Sequence, residues 1–158
     1  MWIGKNYING EFVDSDGEKF NKTDPATELS LGTFFNSTKK DVDIAYGTAR
    51  VVFESWRKIS RVQRAEYMYK IAKLIEEKKE LLADVISWET GKNYNESIAE
   101  VNEALHMAQY AFGSGRTPQG EAVASEISDK DSYMLRKPKG VVAIISPWNF
   151  PLAIGAFW

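Results

Sequence analysis

Five consecutive residues, Pro147, Trp148, Asn149, Phe150 and Pro151, carry the most distinctive chemistry in the chain. The Asn149 carboxamide is uncharged, yet its N–H groups can donate to an oxygen that is gathering negative charge. Prolines two residues to either side fix φ at two points and limit the wander of the backbone between them. Asn149 is therefore a candidate oxyanion-stabilising group. The spacing is equally compatible with a structural asparagine that satisfies the amides of its own turn. Other reactive groups are scarce. Cysteine is absent, so the chain holds no disulfide, no thiolate ligand and no cysteine nucleophile of its own. His106, the single histidine, has no catalytic partner near it in sequence and reads as a surface or structural residue. Gly113-x-Gly115 misses a dinucleotide loop, because the next glycine, Gly120, comes two residues too late. Gly115 and Gly120 have phosphate-loop spacing, but Glu121 stands where a lysine is needed and would repel phosphate. No recognised metal-ligand pattern is present, and none is expected.

The segment that must hold Asn149 runs from Gly140 to Trp158 without a charged side chain. Its length is that of a membrane-spanning helix. Val141, Val142, Ala143, Ile144 and Ile145 instead have the texture of a strand buried on both faces of a parallel sheet. Two prolines four residues apart suit a fixed turn far better than a spanning helix. The expected order is strand, rigid turn, start of an apolar helix. A turn at the carboxyl end of a parallel strand is where α/β folds place ligands.

The remaining chain must build the support for that strand. Its 158 residues suffice for one domain with a core. Twenty Lys plus Arg against 22 Asp plus Glu leave a net charge of −2, with no positive field to favour nucleic acid or anionic lipid. The opening "MWIGKNYING" lacks the long apolar run of an export signal, so a cytoplasmic location is expected. Tyr7, Ile8, Phe12, Val13 and Phe20 alternate around Asn9-Gly10 and Asp16-Gly17, predicting a small β-meander. Thr38, with Asp41 in the first turn, opens a helix whose Val42, Ala45, Ala49, Phe53 and Trp56 form a stripe expected to be buried. Ser60-x-x-Gln63 is a capping box for a second helix, with Tyr67, Met68, Ile71, Leu74 and Ile75 on its apolar face. Leu81, Leu82, Val85 and Ile86 extend the helical pattern to Gly91. From a cap at Asn95, a seam of Ile98, Val101, Leu105, Ala108 and Phe112 runs to Gly113 as the inner face of a bundle helix. Two short segments around "SDKD" then read as an exposed hairpin, which must lie on something to be stable.

These segments resemble the aldehyde dehydrogenase superfamily in order. "GVVAIISPWNFP" is similar to its strand and turn, "YINGEFV" to its opening strand and "DPATE" to its connecting turn. The helical run from "FESWRKIS" to "ETGK" and the entry "RKPKGVV" are similar as well, so the resemblance spans the chain from Tyr7 onward. It implies an α/β fold, the amino-terminal part of the dehydrogenase architecture: β-meander, helical bundle segment, oligomerisation hairpin and first strand of a Rossmann-like sheet, truncated. Residues 1–118 and 139–158 would be a partial cofactor-binding domain and 119–138 the oligomerisation hairpin, with the catalytic domain absent.

By the same resemblance Asn149 is catalytic, facing the aldehyde oxygen. Ile145, Ser146, Pro147 and Trp148 lie along NAD or NADP, and Phe150 borders the substrate passage. The reaction implied is oxidation of an aldehyde to a carboxylic acid through a cysteine thiohemiacetal and thioester, in a homo-oligomer when full length, with no nucleic acid or membrane partner. Carbonyls around Lys22 and Thr23, with Glu89, would be the place of a structural monovalent cation. The nucleophilic cysteine and general-base glutamate lie beyond this segment of the family pattern, so the chain by itself is expected to be inactive. The competing expectations are a noncatalytic helical module that binds through the seam and the hairpin, and a non-functional truncated product.

Overall fold

The computed structural model describes residues 1–157, and side chains as far as residue 155; Trp158, expected within the last helix, lies outside the described residues. Near the amino terminus, β2 (Asn6–Ile8) and β3 (Glu11–Val13) form an antiparallel hairpin. Its turn works because Asn9 and Gly10 both take positive φ, 55° and 84°, matching the twist of the strands. Tyr7 and Phe12 face each other across it with ring centres 4.9 Å apart.

The expected meander breaks at Asp16-Gly17. There the chain bends instead of turning back, because the Ser15 hydroxyl accepts from Gly17 N at 3.0 Å and donates to Asp41 Oδ2 at 2.7 Å. The next strand, β4 (Lys19–Thr23), joins a separate sheet with β5 (Ser30–Phe35) and β1 (Trp2–Ile3), in the order β1-β5-β4. β1 runs parallel to β5 and β4 antiparallel to it.

Four helices follow. α1 (Lys39–Trp56) begins in a full capping box between Thr38 and Asp41, and α2 (Arg61–Glu77) in one between Ser60 and Gln63, as the sequence predicts. α3 (Lys79–Thr90) ends at Gly91, whose φ of 72° is the left-handed stop expected of it. α4 (Tyr94–Ser114) corrects both predicted ends. Asn93, not Asn95, is the cap, its side chain accepting from Asn95 N at 2.9 Å. The helix passes through Gly113 to Ser114 because Gly115 still holds right-handed angles.

The core is made where α2, α3 and α4 meet: Ala72, Ile75, Ala83, Ile86, Val101, Ala104 and Ala108, with Ala153 from the last helix. Alanines on α2 and α4 let the helix backbones approach closely. This choice rotates the faces from those predicted. Tyr67, Ile71 and Leu74 are half exposed, while Ala65, Ala72 and Ile75 point inward. On α4, Val101 and Ala108 are buried as expected, but Ser97, Glu100 and Ala104 accompany them, leaving Ile98 and Leu105 packed at the rim. The stripe on α1 is not enclosed: Ala45 and Phe53 are half-buried, and Val42, Ala49 and Trp56 are exposed. Val42 is 60% exposed and no residue of the helix is enclosed, because β2, the Ser15 bend and the Tyr67 ring, 5.3 Å from that of Trp56, cover only part of its surface.

After α4 come β6 (Glu121–Ala124) and β7 (Asp131–Met134), an antiparallel hairpin exposed along its whole length. Val141–Ile145, expected as a doubly buried strand, is unpaired, and Ile145 is 94% exposed. A strand exists through its ladder, and none of the described strands lies beside this run. α5 (Pro151–Phe157) closes the described chain, starting at the second proline. Among the described residues no helix is long and apolar enough to cross a membrane.

Candidate functional site

The turn between the unpaired run and α5 is tied down on one side. Phe150 N donates to Pro147 O at 3.3 Å, and Ile154 N to Phe150 O at 3.2 Å, so the turn passes directly into the helix. Pro151 lacks an N–H, and the amides of Leu152 and Ala153 would have no partner within so short a helix. Glu100 supplies one. Its Oε1 accepts from Leu152 N at 2.9 Å and from Ala153 N at 3.4 Å.

Glu100 Oε2 is bound by Lys92 Nζ at 2.6 Å, with the carboxylate side chain fully enclosed and the lysine side chain 15% exposed. Lys92 Nζ also donates to the carbonyl oxygen of Asn149 at 2.5 Å and lies 4.5 Å from the centre of the Phe150 ring. One ammonium thus binds a carboxylate on α4, the backbone of Asn149 and an aromatic face. Lys92 reaches them because the Gly91 stop turns the chain out of α3, and its own N–H is held by Thr90 Oγ1 at 3.2 Å. Where α3 meets α4, the Ser87 and Ser97 hydroxyls lie 2.9 Å apart.

The Asn149 carboxamide makes no hydrogen bond to a described residue. Asn149 is exposed and borders a cavity of about 640 Å³ lined also by Lys92, Glu96, Ala99, Glu100, Glu103 and Phe150. Asn149 and Phe150 are thus brought together at one opening. Trp148 stands 86% exposed and Ile145 beyond it; Ser146 and Pro147 are half buried, with Ser146 Oγ near Gly155 of α5. Lys22 and Thr23 fall at an irregularity in the β4–β5 ladder, and Glu89 lies in the last turn of α3. Among the described residues no three His, Asp or Glu side chains gather as a metal site. His106 is exposed, 4.0 Å from Glu103.

Lys92 and Glu100 are the residues that sequence reasoning missed. The signal was available: Ser97, Glu100, Val101, Ala104 and Ala108 occupy one face at helical spacing, so a charged residue lies within a stripe of small ones. A charge there must be paired when the face is covered.

Comparison with known proteins follows this architecture closely. The profile of the aldehyde dehydrogenase family matches residues 12–157. A malonate-semialdehyde dehydrogenase of Bacillus subtilis subsp. natto is 37% identical over 151 residues, covering 95% of this chain and 31% of its own length. An alpha-ketoglutaric semialdehyde dehydrogenase of Bacillus subtilis is 36% identical over 153 residues, with 94% and 31% covered. Among solved structures, a betaine aldehyde dehydrogenase of Staphylococcus aureus in complex with NAD+ superposes with a TM-score of 0.88 at 32% identity, covering 96% of this chain and 31% of that one. An NAD-dependent aldehyde dehydrogenase from Sinorhizobium meliloti gives 0.89 at 31% identity, with 98% and 32% covered. The chain therefore spans about a third of the length of the relatives it matches. The family profile covers residues 12–157, overall identity and superposition agree with it, and the chain belongs to the aldehyde dehydrogenase family.

Proposed function

We propose that this chain forms the amino-terminal third of an NAD(P)-dependent dehydrogenase that oxidises an aldehyde to a carboxylic acid, and that Asn149 donates to the aldehyde oxygen as a nucleophile adds to the carbonyl. The observation that carries this is the state of Asn149. Its backbone carbonyl is held by Lys92, its carboxamide has no partner among the described residues, and the residue stands exposed at the edge of a cavity. A structural asparagine of the kind that satisfies its own turn would spend that side chain locally.

The residues beside it suit a dinucleotide. The run ending in Ile145 keeps unpaired backbone groups, and Ile145 and Trp148 present open apolar surface. Ile145, Ser146, Pro147 and Trp148 would hold NAD or NADP, and Phe150 would border the substrate. The cofactor, when bound, supplies the acceptor for the hydride. This chain's own residues orient and stabilise: Asn149 by its donor, Lys92 and Glu100 by fixing the turn. Residues 1–118 and 139–158 serve the cofactor-binding domain, and the exposed hairpin within 119–138 pairs one subunit with another. All eight of its strand residues are exposed in their own chain, which supports that role.

The chain contains no cysteine, so a cysteine nucleophile would come from sequence outside it, and the resemblance assigns the general-base glutamate there as well. The chain alone, given aldehyde and NAD(P), should show no cofactor reduction, and measurable reduction would refute that part. The site is tested in a joined enzyme, this chain fused to the matching downstream two-thirds of the Bacillus subtilis malonate-semialdehyde dehydrogenase. There Asn149→Ala should lower kcat by about a hundredfold or more; near-normal turnover would remove Asn149 from the oxyanion role.

A further inference from the structure

We propose that Lys92 and Glu100 are positioning residues for the oxyanion donor: together they clamp the turn so that the Asn149 carboxamide stays aimed at the opening. The inference rests on the reading of Asn149 as that donor, and it adds two residues outside the turn itself. Four contacts converge. Lys92 Nζ holds the Asn149 carbonyl at 2.5 Å and covers the Phe150 ring at 4.5 Å, while Glu100 Oε1 takes the Leu152 and Ala153 amides at 2.9 and 3.4 Å. The 2.6 Å contact between the two side chains makes the clamp one unit. Asn149 is thereby gripped at its own carbonyl and, three residues on, at the start of α5, while its side chain takes no partner among the described residues.

An ion pair is a poor way to gain net stability in such a place. An enclosed pair roughly repays its own desolvation, and apolar residues of similar volume often do as well or better. What it supplies is direction: a charged acceptor aimed at two particular amides and a charged donor aimed at one particular carbonyl. For a catalytic group, direction matters, since a displacement of about 1 Å can cost about a hundredfold in rate. Glu100 sits on α4 in the middle of the alanine-rich core, so the clamp connects Asn149 to the most firmly packed part of the chain.

The first test uses the chain as it stands and reads amide exchange by NMR. Lys92→Met and Glu100→Gln should each speed exchange at Leu152 and Ala153 by about tenfold, as bonds to a charged group are weakened. Both should shift the side-chain carboxamide signals of Asn149, while the amides of Ala104 and Ala108 stay protected. Lys92→Arg should restore both signatures. Equal loss of protection across α4, or no change at residues 149–153, would overturn the clamp. The second test is a double-mutant cycle in the joined enzyme, with rates expressed per titrated active site. Lys92→Met should lower kcat about tenfold with little change in KM, yet cost nothing further once Asn149 is already alanine. A full tenfold loss in that background would show that Lys92 acts elsewhere. If Asn149→Ala alone left turnover intact, the oxyanion reading would fail, and the exchange measurement would still decide the clamp.

Discussion

The molecule contains two regions built on opposite terms. In one, α2, α3 and α4 close around alanines, Ile75, Ile86 and Val101, and they enclose the Glu100 carboxylate, which pairs with the mostly buried Lys92 side chain. In the other, α1, the β6–β7 hairpin and the run Val141–Ile145 carry Val51, Tyr133, Leu135 and Ile145 into the open. Both have the sequence patterns of folded elements, with caps, turns and periodic apolar residues in place. Local signals are thus enough to shape an element, but only facing surfaces bury it. The turn bearing Asn149 lies at the boundary, with free chain before it and the helical core behind it.

The largest effect should appear where that boundary is held. Glu100→Ala removes one partner of an enclosed pair, leaves the Lys92 ammonium uncompensated and strips two amides of their acceptor. The cost should be about 3–5 kcal/mol of unfolding free energy by urea titration of the chain. Lys5→Ala, which breaks an exposed pair with Asp14 at 3.0 Å, should cost at most about 1 kcal/mol. Comparable losses at the two sites would erase the distinction between the regions.

The apolar residues sharpen the same contrast. Ile86→Ala opens a cavity in the packed core, 5% exposed at that position, and should cost about 2–5 kcal/mol. Ile127→Ala, in the exposed hairpin loop, should change the stability of the isolated chain by no more than about 0.5 kcal/mol. A large loss at Ile127 would mean that the hairpin already packs on something in the single chain. The paired-subunit role predicts the reverse pattern for Ile127 in the joined enzyme, where the substitution should weaken association measured by sedimentation.

Much of this was written plainly in the sequence. Thr38 and Ser60 announce their capping boxes, Asn9-Gly10 its hairpin, and Gly91 its stop, because each depends on a few adjacent residues. The proline-bracketed turn was legible for the same reason. What failed depended on distant partners. The α1 stripe has a helical period whether or not anything covers it, so Val42 and Trp56 carry no mark of their exposure. Val141–Ile145 has the composition of a buried strand, yet pairing needs a neighbour that composition does not supply. The clamp was hidden more deeply: Lys92 and Glu100 are eight residues apart, and the segment they hold, Asn149 to Ala153, begins 57 residues beyond Lys92. Only the packing of α3, α4 and α5 brings them together.

The smallest effect, and the most local, concerns how the second region is fastened. Asp41 holds the start of α1 to the amino-terminal strands, its Oδ2 accepting from the Ser15 hydroxyl at 2.7 Å, Thr38 N at 2.7 Å and Thr38 Oγ1 at 2.8 Å. The Ser15 hydroxyl first, then the Thr38 donors, hold the Asp41 carboxyl below its ordinary pKa. A carboxyl depressed in the folded state contributes stability that is fully present above its unfolded pKa and is lost as pH falls through the folded one. Acidification below the ordinary carboxylate range should therefore release the Ser15 bend and fray the first turn of α1. Asp24, held low chiefly by the Ala26 amide, adds a change of the same sign within its own turn. Protection factors of the Thr38–Val42 amides, followed against pH, should fall in the native chain. In Asp41→Asn they should be lower at neutral pH and nearly flat, because a carboxamide still accepts but does not titrate. A native chain whose α1 amides keep full protection through that range would show that α1 is held by packing after all, and the contrast with the helical core would lose its second half.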